Sequence, residues 1–545
     1  MYIMYSDSSS ENDIVSWRNS GNVERGGVLI SSDSEAEITK EKRHSSNIKW
    51  LHANLKPHIH TFDDRDSGII TENITYSSQI IDYFRIFFSE DLMTHITNTT
   101  NNFYRYTVEQ LENIPSSLKK WHDTTINELY RFIALTLTMS RLKKLSCNEY
   151  WSTNEIIRTD VFGKHMTRNR YLALQKVLHF SDKRLETSKN LLTKIRVPYN
   201  KLRETFKKSF CPFRDLCIDM SHMLYKRRLS FKQYKPKKSK FGIKTFVLCD
   251  CKTGYLLDFI VYTGAISDVD TFSEKFGRSG NIVVNLLQQY LGKGHQLFVD
   301  NWFSSPALFK FLHNCTINSC GTVSKQREGM PKMEEKLKNG ELSFRSSGNL
   351  FALKWQSKHE VWMLFTSHSA KCRNSRKINH GTGEVVQKPT CILDYNKSME
   401  IVSETNRIIS TVACTRKTLQ WYKRLFFHLL DLSVWNSYCL YKFKTKKVLP
   451  MSEFHLALIT EILQTYPRSM ETVSFVRSES LLRLTERHFP TLYKSDKANR
   501  KNPLRRCVVC AKLDKRRSSR YCCKQCNVGL CIVPCFEMYH TQFYF

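Results

Sequence analysis

Two short apolar runs of this chain each end in an aspartate: Leu216-Cys217-Ile218-Asp219 and Leu297-Phe298-Val299-Asp300. Short apolar runs bounded by polar residues read as buried strands. A buried strand that ends in an acid brings a carboxylate to the rim of a sheet, where water, a cation or a phosphate can reach it. Strand- and helix-like segments fill the interval between the two, so both acids belong to one α/β layer. Paired carboxylates suit hard divalent cations, which take oxygen donors. Two-metal phosphoryl transfer holds its ions about 3.5–4 Å apart and shares them among several oxygens, so it needs a third acid from elsewhere in the chain.

The strand order supports this reading. A first strand ends at Asp219, a second covers Ile243 to Cys249, and a third covers Tyr255 to Tyr262. Asp250-Cys251-Lys252-Thr253-Gly254 supplies the turn between the second and third, with its glycine well placed. A helical stretch through Ile282, Leu286 and Leu291 follows, then the strand to Asp300, a helix near Pro306 to His313 and a strand near Thr316 to Gly321. Three antiparallel strands followed by alternating helix and strand is the order of an RNase H-like core, in which the acids stand at the ends of strands one and four. Residues 211–324 and 388–411 are the expected parts of that core.

The flanking segments read differently. Residues 1–77 carry acidic serine clusters, such as Ser31-Ser32-Asp33-Ser34-Glu35, with few apolar neighbours, and are expected to be a disordered tail. Helical periodicity fills 78–210, with Ile80, Ile81, Phe84 and Phe87 on one face. Thr167 reads as an N-cap of a helix through Leu172, Leu174 and Val177. Helical periodicity returns over 412–495, where Trp421, Leu425, Phe426, Leu429 and Leu430 would pack a second helical block against the first. Between them, 325–387 is basic and punctuated by glycine and serine. Its strand-like pieces, Leu350 to Trp355 and Val361 to Ser367, predict a small β-rich insertion subdomain.

With 84 lysines and arginines against 51 acids, the net charge of +33 draws the chain to phosphate polymers, with affinity falling as salt rises. The hairpin from Tyr225 to Lys244 concentrates that charge in Lys226, Arg227, Arg228, Lys232, Lys235, Lys237, Lys238, Lys240 and Lys244, interleaved with Phe231, Tyr234 and Phe241. Strand alternation lets one side present the cations while the aromatics pack. DNA-backbone contact is the expected role, and a charged edge that guards the sheet is the plainer one. No apolar stretch approaches the ~18 residues of a membrane span. Scattered cysteines such as Cys217, Cys249 and Cys391 suit a reducing compartment. A nuclear protein with no membrane partner is expected.

The strongest spacing signal is C-terminal: Cys507-x2-Cys510, Cys523-x2-Cys526, then Cys531, Cys535 and His540. Thiolates two residues apart grip one Zn²⁺ tetrahedrally. Seven ligands complete one structural zinc site, and two only if an eighth joins, with Cys522 the candidate. A crossed, RING-like arrangement with two ions is the expectation for a zinc domain over 500–545.

Tyr150-Trp151-Ser152-Thr153, Lys240-Phe241-Gly242-Ile243-Lys244, Val299-Asp300-Asn301-Trp302-Phe303, Asp394-Tyr395-Asn396-Lys397, Trp421-Tyr422-Lys423 and the terminal cysteines, in this order, resemble the piggyBac transposase family, nearest its vertebrate element-derived branch. The resemblance runs from about residue 78 to the end. It implies a DNA transposase architecture: an RNase H-like core with three catalytic aspartates and Mg²⁺, a split helical domain for homodimerisation and DNA binding, an insertion, and a zinc domain that reads transposon ends. Carried across, the first two aspartates are Asp219 and Asp300. The third falls on Ser403, the family's following Asp-Gln becomes Asn406-Arg407, and the acid that commonly follows the first aspartate becomes Met220. A serine hydroxyl is a poor ligand for a hard cation, and Arg407 is expected to add positive charge to the pocket. On a helix Glu404 points about 100° away from Ser403 and Glu400 lies nearly a turn earlier, so neither is placed to substitute. A DNA-binding protein that has lost strand transfer is the expectation. The alternatives are an active transposase with a rewired metal site, and an adaptor whose zinc domain binds chromatin proteins.

Overall fold

The computed structural model describes residues 48–54, 56–71, 74–182, 191–224, 233–235, 240–263, 269–378, 385–414, 420–447, 449–468, 484, 487–493, 504–513 and 515–542. Two units are present, Met1–Pro467 and Arg468–Phe545. The helices used below in the first are α1 (Ile80–Phe87), α2 (Glu90–Phe103), α3 (Ile126–Arg141), α4 (Arg168–Val177), α5 (Arg196–Ser209), α6 (Gly277–Leu287), α7 (Pro306–Asn314), α8 (Thr390–Val412), α9 (Trp421–Thr445) and α10 (Met451–Thr465).

Nine strands make one mixed sheet: β1 (Asp215–Leu224), β2 (Gln233–Lys235), β3 (Lys240–Asp250), β4 (Leu256–Val261), β5 (Gln296–Val299), β6 (Asn318–Thr322), β7 (Leu342–Ser347), β8 (Leu350–Gln356) and β9 (Glu360–Phe365). Their order is β2-β3-β1-β5-β6-β9-β8-β7, and β4 shares the outer edge of β3 with β2. β1 is antiparallel to β3, and β3 to β4, whereas β5 is parallel to both β1 and β6. Parallel strands need a crossover, and α7 joins β5 to β6. This is the RNase H-like order that the sequence predicts. β4 and β5 are buried along their whole length, as strands covered on both faces must be.

Three expectations need correction. β1 does not end at Asp219; it runs on to Leu224 because β3 continues to pair with it there, Leu224 opposite Gly242. The strands of 325–387 form no body of their own, because β9 pairs with β6 and extends the core sheet by three strands. Only a ribbon of β10 (Cys372–Ile378) and β11 (Val385–Pro389) stands apart, directly ahead of α8. The tail is also shorter than 1–77. Residues 1–47 lie outside the described residues, but Leu51 exchanges both backbone hydrogen bonds with Ser346 (2.8 Å each). Further on, the carbonyl of Thr61 lies where Gly294 would carry a Cβ, 1.9 Å from it, so only glycine lets the strap pass.

The helical segments on either side of the sheet meet as the sequence predicts. Thr167 caps α4 by accepting from the Arg170 amide at 3.3 Å. Phe180 stacks on Phe426 of α9, ring centroids 4.4 Å apart. Lys423, also on α9, is buried and donates to the carbonyls of Gln175 (2.9 Å) and Lys176 (2.7 Å) at the C-terminal end of α4. A cation there meets the negative end of the helix and its unpaired carbonyls. Burial pushes its ammonium down to about 7.

Two contacts lock these helices to the sheet. Asn436 of α9 gives and takes a hydrogen bond with the backbone of Leu256 (2.9 Å each), so its amide completes the pairing of β4. Arg203 of α5 grips Asp258 of β4 through two bonds of 2.7 and 2.8 Å, with the carboxylate almost wholly buried. Removing one partner of a buried pair leaves an uncompensated charge, which costs about 3–5 kcal/mol. Asp258→Ala should lower the unfolding free energy of the first unit, read from urea titration, by that amount, with a lower midpoint. Asp91→Ala, which breaks an exposed pair with Lys201, should leave the midpoint where it is. Equal effects from the two substitutions would contradict this account.

Candidate active site and metal-ligating module

The register of one parallel ladder builds the acid pair. β1 and β5 pair from Asp215 with Gln296 to Ile218 with Val299, and stop. The next residue on each strand is an aspartate, so Asp219 and Asp300 stand side by side where the ladder opens. Below them Leu216, Ile218, Leu297 and Val299 are fully buried.

The chain turns sharply after Asp300. Its Oδ1 accepts from the Trp302 amide at 3.0 Å, and its carbonyl accepts from the amides of Phe303 and Ser304 (3.2 Å each) and from Ser304 Oγ (3.0 Å). Gly321 on β6 makes room for that turn: a Cβ there would lie 2.5 Å from both Ser304 Oγ and the Val299 carbonyl. Asp219 Oδ1 accepts from the Met220 amide at 2.7 Å. Burial, and then the neighbouring Asp219 charge, push the Asp300 carboxyl up to about 6. The Trp302 amide and Lys244 act in the opposite direction. Asp300, raised in part by its neighbour's charge, is placed to share a cation with it.

Helix α8 runs across this end of the sheet. Its Tyr395 hydroxyl lies 3.5 Å from Thr322 Oγ1, and its Asn406 Oδ1 accepts from Ser221 Oγ at 3.3 Å. Ser221 is two residues past Asp219 and therefore on the same face of β1. Ser403 is exposed on α8, as are Glu400 and Glu404. Arg407, expected to charge the pocket, is exposed and lies 3.7 Å from Glu404 one turn back. The cations beside the acid pair are different ones. Lys244 holds its ammonium 4.1 Å from the centre of the Trp302 ring and pulls on Asp300. Arg327 Nη2 donates to the carbonyls of Asn301 (2.8 Å) and Trp302 (3.1 Å), and Asp300 acts on its guanidinium. Two carboxylates with two cations beside them fall short of the oxygen donors that a two-metal centre shares.

Of the hairpin cations, Lys226, Arg227, Arg228, Lys232, Lys237 and Lys238 lie outside the described residues. Lys235 and Lys240 are opposite one another on β2 and β3, and Lys244 follows on β3. Sequence pattern alone does not single out Arg327, Tyr395 or Asn406: Tyr395 lies inside Asp394-Tyr395-Asn396-Lys397, Asn406 departs from the family's acid, and no motif surrounds Arg327.

In the second unit two sets of four ligand atoms converge, each set within 4.8 Å: Cys507, Cys510, Cys531 and Cys535, and His488, Cys523, Cys526 and His540. Their order along the chain alternates between the sets, which is the crossed arrangement. All seven expected ligands take part. The eighth is His488 and not Cys522, whose residue pairs with Thr491 and Gly529 across β13 (Tyr521–Cys523), between β12 (Pro490–Leu492) and β14 (Val528–Gly529). β12 carries the His488 segment to the cysteines, so the module starts before residue 500. His488 Nδ1 lies 3.4 Å from Cys523 Sγ and 3.5 Å from Cys526 Sγ. His540 Nδ1 bonds the Phe536 carbonyl at 2.7 Å, which leaves Nε2 facing Cys526 at 3.6 Å. Such an outer bond fixes the ring and its tautomer for ligation.

The raised Asp300 carboxyl gives a stability test. A carboxylate raised to about 6 destabilises the fold when ionised, so its contribution is favourable at low pH and is lost as pH climbs from about 4 through 6. Asp300→Asn should therefore be more stable than the wild type at pH 7.5, by no more than about 3 kcal/mol. The gap in thermal midpoint should close on acidification. A gap that widens towards pH 4.5 would refute the assignment.

With the geometry described, the comparisons with known proteins agree. A family model described as Transposase IS4 matches residues 81–438. Human PiggyBac transposable element-derived protein 5 is 20% identical over 419 residues, which cover 73% of this chain and 78% of that protein. A cryo-EM structure of a piggyBac transposase synaptic complex with hairpin DNA matches at a TM-score of 0.66 and 22% identity, over 85% of this chain and 97% of that one. Ladder, acid pair, strand order and relatives concur, and the chain belongs to the piggyBac transposase family.

Proposed function

We propose that this chain is a transposase-derived protein that binds duplex DNA in the nucleus and does not cut it. The observation that carries the reading is the ligand set at the acid pair. Asp219 and Asp300 lie together, the family resemblance carries the third carboxylate position to the exposed Ser403, and Lys244 and Arg327 supply positive charge beside Asp300. The net charge of +33 supports a polyanionic partner, and a solved relative by fold is a complex with hairpin DNA. The family resemblance further supports a homodimer.

The donor sets of the second unit, four cysteines in one and two cysteines with two histidines in the other, are those of tetrahedral structural Zn²⁺. Bound zinc would hold this small module together, since ligand binding and folding are linked in such units. Both sets are complete without an open position for substrate, so the zinc has no catalytic role here.

Two experiments test the reading. Incubation of the full-length protein with duplexes bearing candidate transposon ends, in Mg²⁺ or Mn²⁺, should give retarded complexes and no nicked strands. Metal-dependent nicking abolished by Asp219→Ala would establish an active enzyme instead. Mass spectrometry of the purified chain for zinc should count two ions. His488→Ser should lower this to one, and Cys522→Ser should leave it at two. An unchanged count in the His488 variant would remove that residue from the site.

A further inference from the structure

Ahead of α8, strands β10 and β11 pair with one another and stand outside the nine-stranded sheet. Arg373 lies opposite Lys388, and Asn374 opposite Gln387. Successive residues on a strand face opposite ways. Arg373 fixes which way is which. Its Nη2 bonds Asp394 Oδ1 at 2.7 Å, while Asp394 Oδ2 lies 3.1 Å from His368 Nε2. His368 Nδ1 and Ser367 Oγ are 2.9 Å apart, and Gln296 at the start of β5 donates to that hydroxyl at 3.1 Å. On the same side of the ribbon Lys388 holds its ammonium 5.9 Å from the centre of the Trp355 ring. One face is thus tied, bond by bond, to the sheet. Asn374 and Gln387 are turned the other way, both exposed, with no hydrogen-bond partner among the described residues.

We propose that this ribbon enters a groove of duplex DNA, with the Asn374 and Gln387 carboxamides on base edges and the exposed Lys371 on a phosphate. The inference rests on the reading of the chain as a DNA-binding protein and adds where sequence is read. The partner follows from charge and shape. Residues 371–389 hold five lysines and arginines, Lys371, Arg373, Arg376, Lys377 and Lys388, against one acid, Glu384. A major groove about 12 Å wide admits a two-stranded ribbon, and a carboxamide offers the donor and acceptor that match the N6 and N7 edge of adenine. Two such amides on paired strands lie about 5 Å apart at Cβ, close enough to address neighbouring base pairs. The tie through Asp394 holds the ribbon's base against the sheet, so the outward amides are presented without a further ordering step.

The test uses the full-length protein, selection of bound duplexes from a random pool, and salt titration of the selected site. Asn374→Ala combined with Gln387→Ala should keep affinity for random duplex while its preference for the selected site falls about ten- to a hundred-fold. The salt slope should not change. Lys371→Gln should weaken all sequences equally and lower the slope by about 1. Selected sequences and preference left intact in the double variant, with duplex binding retained, would overturn the ribbon assignment and spare the DNA-binding reading. A double variant that altered only the oligomeric state would also overturn it, by making the ribbon a contact between copies. Failure of the wild-type protein to bind any duplex would bring down both.

Discussion

The hydrogen-bonded register between β1 and β5 is the constraint on which the site depends. Ile218 opposite Val299 is the last pair of that ladder, and each strand then places a carboxylate at the same level. A slip of one residue would turn one acid into the layer below and bring an apolar side chain to the rim. The register is held from several sides. Leu216, Ile218, Leu297 and Val299 are buried, the edge of β6 approaches at Gly321, and the turn after Asp300 is closed by its own carbonyl and carboxylate. The carboxylates are brought together by packing, and burial first, then the Asp219 charge, pushes Asp300 upward.

The helical segments serve the same end. α9 reaches β4 through Asn436 and reaches α4 through Lys423, and α5 reaches β4 through Arg203. Each link uses a buried polar side chain that satisfies backbone or carboxylate groups, an arrangement that specifies one docking geometry because every other leaves those groups unpaired. Helix α8, which crosses this end of the sheet, is itself fixed near its start by Asp394, held between His368 and Arg373, whose hydrogen bonds keep its carboxyl below the usual carboxylate range. The start of α8 is therefore held to the sheet by hydrogen bonds that do not involve Asp219 or Asp300.

Much of this was legible in the sequence. The two apolar runs with terminal acids gave the pair, the strand order gave the RNase H-like core, and the paired thiols with His540 gave seven of the eight residues that converge in the second unit. What escaped depends on long-range pairing. His488 is separated from the cysteines in sequence and reaches them because β12 pairs with β13. The length of β1 beyond Asp219 is set by β3, and the continuation of the sheet through β9, β8 and β7 is set by one edge of β6. Arg407 was expected in the pocket on sequence proximity to position 403, but helix geometry carries it to the exposed side beside Glu404. Arg327 took that place from a loop with no motif of its own.

Counting Mn²⁺ on the DNA-bound, full-length protein by electron paramagnetic resonance, with Asp219→Ala as the reference, tests the central claim most directly. The account predicts no pair of coupled ions at the two aspartates, because Lys244 and Arg327 stand beside Asp300 and the position that the family resemblance assigns to a third acid is a serine. A spin-coupled Mn²⁺ pair in the wild type, lost in the reference variant, would contradict it.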